Sequence, residues 1–117
     1  MKPERILVCG GRNYTERNVV FETLSTCRPH FADQFCIIQG HAHGADKLAR
    51  DWALENGYCC IDVPAPWNYY KLAAGPIRNA WMLYFCCPQL VIAFPGGSGT
   101  ADMVARANGA GVPVYAI

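Results

Sequence analysis

The stretch Leu90-Val91-Ile92-Ala93-Phe94-Pro95-Gly96-Gly97-Ser98-Gly99-Thr100 decides the architecture of this chain. Its first five residues are apolar, the pattern of a strand covered on both faces. Pro95-Gly96-Gly97 interrupts that run. A helical pattern opens at Ser98 or Gly99, with Thr100, Met103, Val104 and Ala107 on one face and Asn108-Gly109 closing it. A strand passing through a glycine loop directly into a helix is the repeating unit of parallel α/β sheets.

The unit recurs on both sides of this stretch. Arg5–Cys9, Cys36–Ile38, Cys59–Val63 and Val112–Ala116 are further short apolar runs. Between them, Thr15 is placed to cap a helix carrying Val19, Val20, Thr23, Leu24 and Cys27. Ala45, Leu48, Ala49, Trp52 and Ala53 form one face of a second helix, stopped by Asn56-Gly57. Gly75-Pro76 starts a third, with proline at its first position, and Pro88 ends it. The expected fold is α/β: a three-layer, Rossmann-like arrangement with a five-stranded parallel sheet. Right-handed crossovers give the order 3-2-1-4-5. The last strand reaches the end of the chain, so residues 1–117 read as a single domain.

The 117 residues are 52% hydrophobic and 16% charged, enough to bury a core. Ten basic and nine acidic residues leave a net charge of +1. That balance argues against nucleic acid as a partner, since phosphate backbones reward many Lys and Arg contacts. The longest apolar run, Trp81–Cys87, has seven residues, whereas a membrane helix needs about 20. Met1-Lys2-Pro3-Glu4-Arg5 does not resemble a signal peptide. Seven cysteines are an odd number, and no C-x-x-C occurs. They read as reduced thiols of a cytoplasmic protein, with Cys9, Cys36 and Cys59 acting as small hydrophobes.

Three glycine-rich loops follow three strands: Gly10-Gly11-Arg12-Asn13, Gly40-His41-Ala42-His43-Gly44-Ala45-Asp46 and Pro95–Thr100. A parallel sheet gathers all three at its carboxyl edge, where such folds bind ligands. The third loop runs into a helix N-terminus whose free N–H groups and dipole favour a phosphate. Ser98 and Thr100 add hydroxyls. No G-x-G-x-x-G follows the first strand and no G-x-x-x-x-G-K-[ST] occurs, so dinucleotide and P-loop readings are weak.

Pro95-Gly96-Gly97-Ser98-Gly99-Thr100 matches the P-G-G-x-G-T signature of the SLOG superfamily. Gly40–Asp46, Ala74–Asn79 with Met82-Leu83, and Ala101–Val104 resemble its small YspA-like branch. The superfamily includes the "Lonely guy" nucleotide phosphoribohydrolases and the DNA-processing protein A family. The resemblance spans nearly the whole chain. It implies a Rossmann-like fold and a nucleotide or nucleotide-derived ligand. It implies no established reaction for this branch. In the phosphoribohydrolases an arginine at the start of the third helix belongs to the catalytic signature, and Arg78 matches it. Their pattern continues P-G-G-x-G-T-x-x-E, but the glutamate position here is Met103. Asp102 lies one residue earlier, about 100° round the helix.

The expected ligand contacts are therefore Gly10, Gly11, Arg12, Gly40, Gly44, Asn79, Gly96, Gly97, Ser98, Gly99 and Thr100. Arg78 would grip phosphate through paired hydrogen bonds. Asp102 is the first candidate carboxylate for cleaving an N-glycosidic bond, and Asp46 takes that place if Asp102 points away. Pro64–Tyr70 follows the third strand on the same edge, where its aromatics can stack on a base. His41 and His43, near Cys9 and Asp46, lack a clear tetrahedral ligand set, so no metal is expected. Nor is a cofactor. Lys2, Lys47 and Lys71 have no setting that suits pyridoxal phosphate chemistry. The helix around Trp81–Phe85 is apolar all round, which predicts a homo-oligomer built on it. A binder without turnover, acting as a ligand sensor or assembly module, is the alternative to an enzyme. Single-stranded DNA binding ranks below both.

Overall fold

The computed structural model describes residues 1–117. In chain order the elements are β1 (Arg5–Cys9), α1 (Arg17–Cys27), β2 (Cys36–Gln39), α2 (Ala45–Glu55), β3 (Cys59–Asp62), α3 (Trp67–Tyr70), α4 (Ala74–Cys86), β4 (Leu90–Ala93), α5 (Ser98–Gly109) and β5 (Val114–Ala116). The strands are all parallel, in the order β3-β2-β1-β4-β5. This is the expected Rossmann-like sheet.

Side chains alternate across the sheet and divide the core in two. Ile6, Val8, Ile37, Ile92 and Phe94 meet Val20 and Leu24 of α1 and Ala45, Ala49, Trp52 and Ala53 of α2. Leu7, Cys9, Ile38, Val91 and Ala93 meet Met82 and Leu83 of α4 and Met103 and Ala107 of α5. Chain direction therefore switches faces between β1 and β4, and the crevice at their carboxyl ends is the topological switch point.

Several local expectations are corrected. Only the central strands are covered on both faces; β3 and β5 are sheet edges and largely exposed. Cys59 is consequently exposed rather than a core residue, while Cys9 is buried. All seven cysteines are unpaired thiols. In α1, Val20 and Leu24 point inward, Val19 points out, and Thr15 does not cap. The helix instead opens after Glu16, and the Thr15 carbonyl accepts the Arg17 N–H at 2.8 Å.

The third crossover begins earlier than Gly75-Pro76. A short helix, α3, ends at Lys71, which adopts φ 52°, and a 3-10 turn over Lys71–Ala73 leads into α4 at Ala74. Pro76 is thus the third helical residue, and Arg78 lies in the second turn instead of the first. Cys87, in the left-handed region, ends α4 just before Pro88. α5 runs on to Gly109, with Gly111 rather than Gly109 making the left-handed turn.

Candidate functional site

The three glycine loops interlock before they leave any room for a ligand. The Gly11 N–H donates to the Pro95 carbonyl at 2.8 Å, and the Gly11 carbonyl accepts from Ala45 N–H at 3.1 Å. A Cβ at Gly10 would press on Ala45. At Gly44, whose φ is +76°, it would run into the Gly11 carbonyl, and at Gly96 into the Thr100 hydroxyl and the Gly11 amide. Those glycines let three backbones touch. Gly97 and Gly99 differ, because a Cβ there would meet nothing within 4 Å.

What remains between the loops is a cleft of about 620 Å³, within the range that encloses a small organic ligand. The start of α5 forms one wall. No backbone or side-chain group accepts from the N–H groups of Ser98, Gly99 or Thr100. They face the cleft with the positive end of the helix dipole behind them. Gly10, Gly11, Arg12, Arg78, Asn79 and Asp46 complete the lining, together with Cys9, Asn13, Tyr14, Ala42 and Met82.

Arg78 is anchored by part of its guanidinium. Nη1 donates to the Gly40 carbonyl at 2.5 Å and Nε to Asn79 Oδ1 at 3.0 Å, leaving the other N–H donors for the cleft. Burial pulls its pKa below the ordinary arginine value, while Asp46 nearby pushes it up. Asn79 is buried and ties α4 to α5: its Nδ2 donates to the Gly99 carbonyl at 3.1 Å and to Asp102 Oδ2 at 3.0 Å. Asn79 thus positions Arg78 and the α5 loop together.

The two candidate carboxylates separate. Asp102 does not line the cleft. Its Oδ2 is taken by Asn79 and by Arg106 Nε at 2.8 Å. Asp46 is 6% exposed and lies in the cleft wall, with Oδ2 accepting from Gly40 N–H at 3.1 Å and Ala42 N–H at 3.3 Å. Burial drives its pKa from 3.8 up to about 6, against the opposing pull of Arg78, those two N–H groups and Arg12. Cys9, beside it, is pushed up to about 12 by burial and by Asp46, so it is a protonated, unreactive thiol at neutral pH.

Of the other expected contacts, Gly40 borders a side chamber instead of the main cleft, and Gly44 lines neither. His41 faces Asp62, Nδ1 to Oδ2 3.7 Å, and His43 lies on the rim near Lys47 and Arg50. No three His, Cys, Asp or Glu side chains gather where a metal could bind. Trp67 lies at the side chamber, with the Arg12 guanidinium 5.6 Å from its ring centroid.

Residues 4–70, which run from β1 through α3 and carry the first two glycine loops, match the YspA, cpYpsA-related SLOG family. The chain belongs to that family. The Gene 61 protein of Mycobacterium phage D29 is 29% identical over 117 residues, covering 94% of this chain and 93% of that protein. The X-ray structure of DNA processing protein A from Streptococcus pneumoniae superposes with a TM-score of 0.75 at 21% identity. It covers 96% of this chain, which spans about half (49%) of that one, and the likeness concerns the fold alone.

Within this SLOG chain the position that a P-G-G-x-G-T-x-x-E pattern would give to glutamate is Met103, fully buried under β1 and β4. Asp46, from the second glycine loop, is the one carboxylate in the cleft wall. Asn13 and Ala42 belong to glycine loops that the sequence places at this edge, but neither carries a chemical pattern that singles it out as a contact, and Tyr14 lies beyond the loop as read. The Asp102–Arg106 pair could have been read from helical spacing, since the two are four apart on one face, but the contact from Asn79 on another helix could not.

Proposed function

We propose that this SLOG protein binds a nucleotide or nucleotide-derived ligand by its phosphate, at the N-terminus of α5. The supporting observation is the convergence, in one cleft, of three unpartnered N–H groups from Ser98–Thr100 with the cations of Arg12 and Arg78. Gly97 and Gly99 give the open backbone approach such an anion needs. Arg78 supplies the remaining donors of its anchored guanidinium, and Arg12 neutralises charge from the other side.

Cleavage of the N-glycosidic bond in a nucleoside 5′-monophosphate is the finer reading, and it passes through Asp46. An oxocarbenium-like transition state needs a carboxylate nearby to stabilise it or to activate water. Asp46 lines the cleft, while Asp102 is bound to Asn79 and Arg106. The buried Met103 in place of glutamate supports the alternative, a ligand sensor without turnover. A single-stranded nucleic acid presents the same phosphate chemistry, and the fold is shared with a protein named for DNA processing.

A thermal-shift panel of nucleoside mono-, di- and triphosphates tests binding. A ligand at 100 times its Kd adds about 2.7 kcal/mol of stability, several degrees in Tm for a domain of this size. Free base released from the shifting nucleotide, and lost in Asp46→Asn and Arg78→Ala, would support turnover. A shift with no base release would support the sensor. Displacement of the nucleotide by a short oligonucleotide, in a salt-dependent way, would support nucleic acid as the ligand.

A further inference from the structure

The cleft does not end at Arg12 and Arg78. Beyond them lies a second chamber of about 340 Å³, bounded by Gly40, His41, His43, Pro64, Ala65 and Trp67. Arg12, Ala42 and Arg78 line both chambers, so the two lie side by side. Their walls differ in chemistry. The larger chamber offers backbone N–H groups and guanidinium donors, while the smaller one offers an indole.

Trp67 is 45% exposed, with its ring edge resting over Gly75, where an added Cβ would lie 3.6 Å away. The Arg12 guanidinium lies over the ring, 5.6 Å from its centroid. Arg12 itself has no carboxylate within ion-pair distance. The other aromatic in the cleft, Tyr14, is committed to the core through Phe94 at 5.8 Å.

We propose that the side chamber is the base subsite: the ligand is a nucleoside 5′-phosphate whose planar base stacks on Trp67 while its phosphate sits on α5. This rests on the phosphate reading above and adds the place and chemistry of the base. In the free protein Arg12 covers the indole. A phosphate offers Arg12 charge-assisted hydrogen bonds, which outweigh an exposed cation–π contact. Arg12 turns to the phosphate, and the base takes its place on Trp67. One side chain thereby couples the two chambers.

Calorimetric titration of the full chain with a nucleoside 5′-monophosphate and with ribose 5-phosphate tests this. The wild type is expected to prefer the nucleotide by about tenfold, the scale of one base–aromatic stack. Trp67→Ala is expected to remove that preference while ribose 5-phosphate binds at least as tightly as it does to the wild type, because Arg12 no longer has the indole to leave. Trp67→Phe keeps an aromatic face and is expected to retain most of the preference, which guards against an alanine variant that misfolds. Tyr14→Leu is expected to leave it intact. If the preference survives in Trp67→Ala, or is lost in Tyr14→Leu instead, the base lies in the main cleft and the proposal falls. Equal affinity of the wild type for both compounds overturns the stacking subsite while the phosphate site stands. Binding of neither overturns both.

Discussion

Asp46 sits at the head of α2 with one carboxylate oxygen held by two backbone N–H groups, and burial still raises its pKa to about 6. The folded protein therefore holds this proton more tightly than the unfolded chain does. The penalty for ionising Asp46 is absent below pH 4, grows between about pH 4 and 6, and is fully present above. A shift of about two units corresponds to roughly 3 kcal/mol. Asp46→Asn keeps the two acceptor contacts and removes the charge. Its Tm is expected to exceed that of the wild type by several degrees at pH 8 and to match it at pH 4, in scanning calorimetry at both pH values. A lower Tm at pH 8 would mean that the ionised carboxylate stabilises the fold.

The glycines make a second residue-scale contrast. Gly44→Ala places a methyl group against the Gly11 carbonyl at a positive φ and is expected to cost about 1–3 kcal/mol in urea unfolding. Gly97→Ala, with open space around it, is expected to leave the unfolding midpoint within about 0.5 kcal/mol of wild type. It places a methyl group in the proposed phosphate seat, so nucleotide affinity is expected to fall even though stability does not. Which of the glycines pack and which stand open depends on how three loops distant in sequence meet. No single loop could show it.

Among the elements, α4 and α5 are joined by a polar chain from Arg78 through Asn79 to Asp102 and Arg106. Asn79→Ala leaves the Gly99 carbonyl and the Asp102 carboxylate short of a donor and Arg78 Nε short of an acceptor. It is expected to lower stability by about 1–3 kcal/mol in urea melts, and to weaken nucleotide binding by removing one of the two tethers of Arg78, the Gly40 carbonyl being the other; unchanged affinity would mean that Asn79 does not position Arg78 for the ligand. The strands, the α2 face and the opening of α5 were legible because apolar runs and glycine breaks carry their own periodicity. The orientation of Asp102 was not legible. One residue of helix phase is about 100°, and the phase of α5 is set by burying Met103 and Ala107 against the sheet. The same packing turns Asp102 toward α4. The early start of α4 was hidden because the turn at Lys71 uses a positive φ on a residue that rarely takes one.

For the whole molecule, the sheet order places β1 and β4 side by side and so assembles the site from segments up to 91 residues apart, Cys9 to Thr100. That order followed from short crossovers of one hand. The outer side of α4 is a different matter. Met82 and Leu83 are buried, but Tyr84 and Phe85 are 63% and 79% exposed. We propose that a second copy covers them. Light scattering at micromolar concentration is expected to give at least a dimer mass, and Phe85→Glu a monomer with an unchanged fold. A monomeric wild type would refute this assembly.

The central claim is that phosphate is what this cleft recognises. The most direct measurement is calorimetric titration of the wild-type chain with a nucleoside 5′-monophosphate and with the same nucleoside lacking phosphate. The account predicts that the monophosphate binds and that removing its phosphate weakens binding by at least about tenfold, as expected for losing one or more charge-assisted hydrogen bonds. Equal affinity for the two, or no binding of either at millimolar concentration, would contradict it.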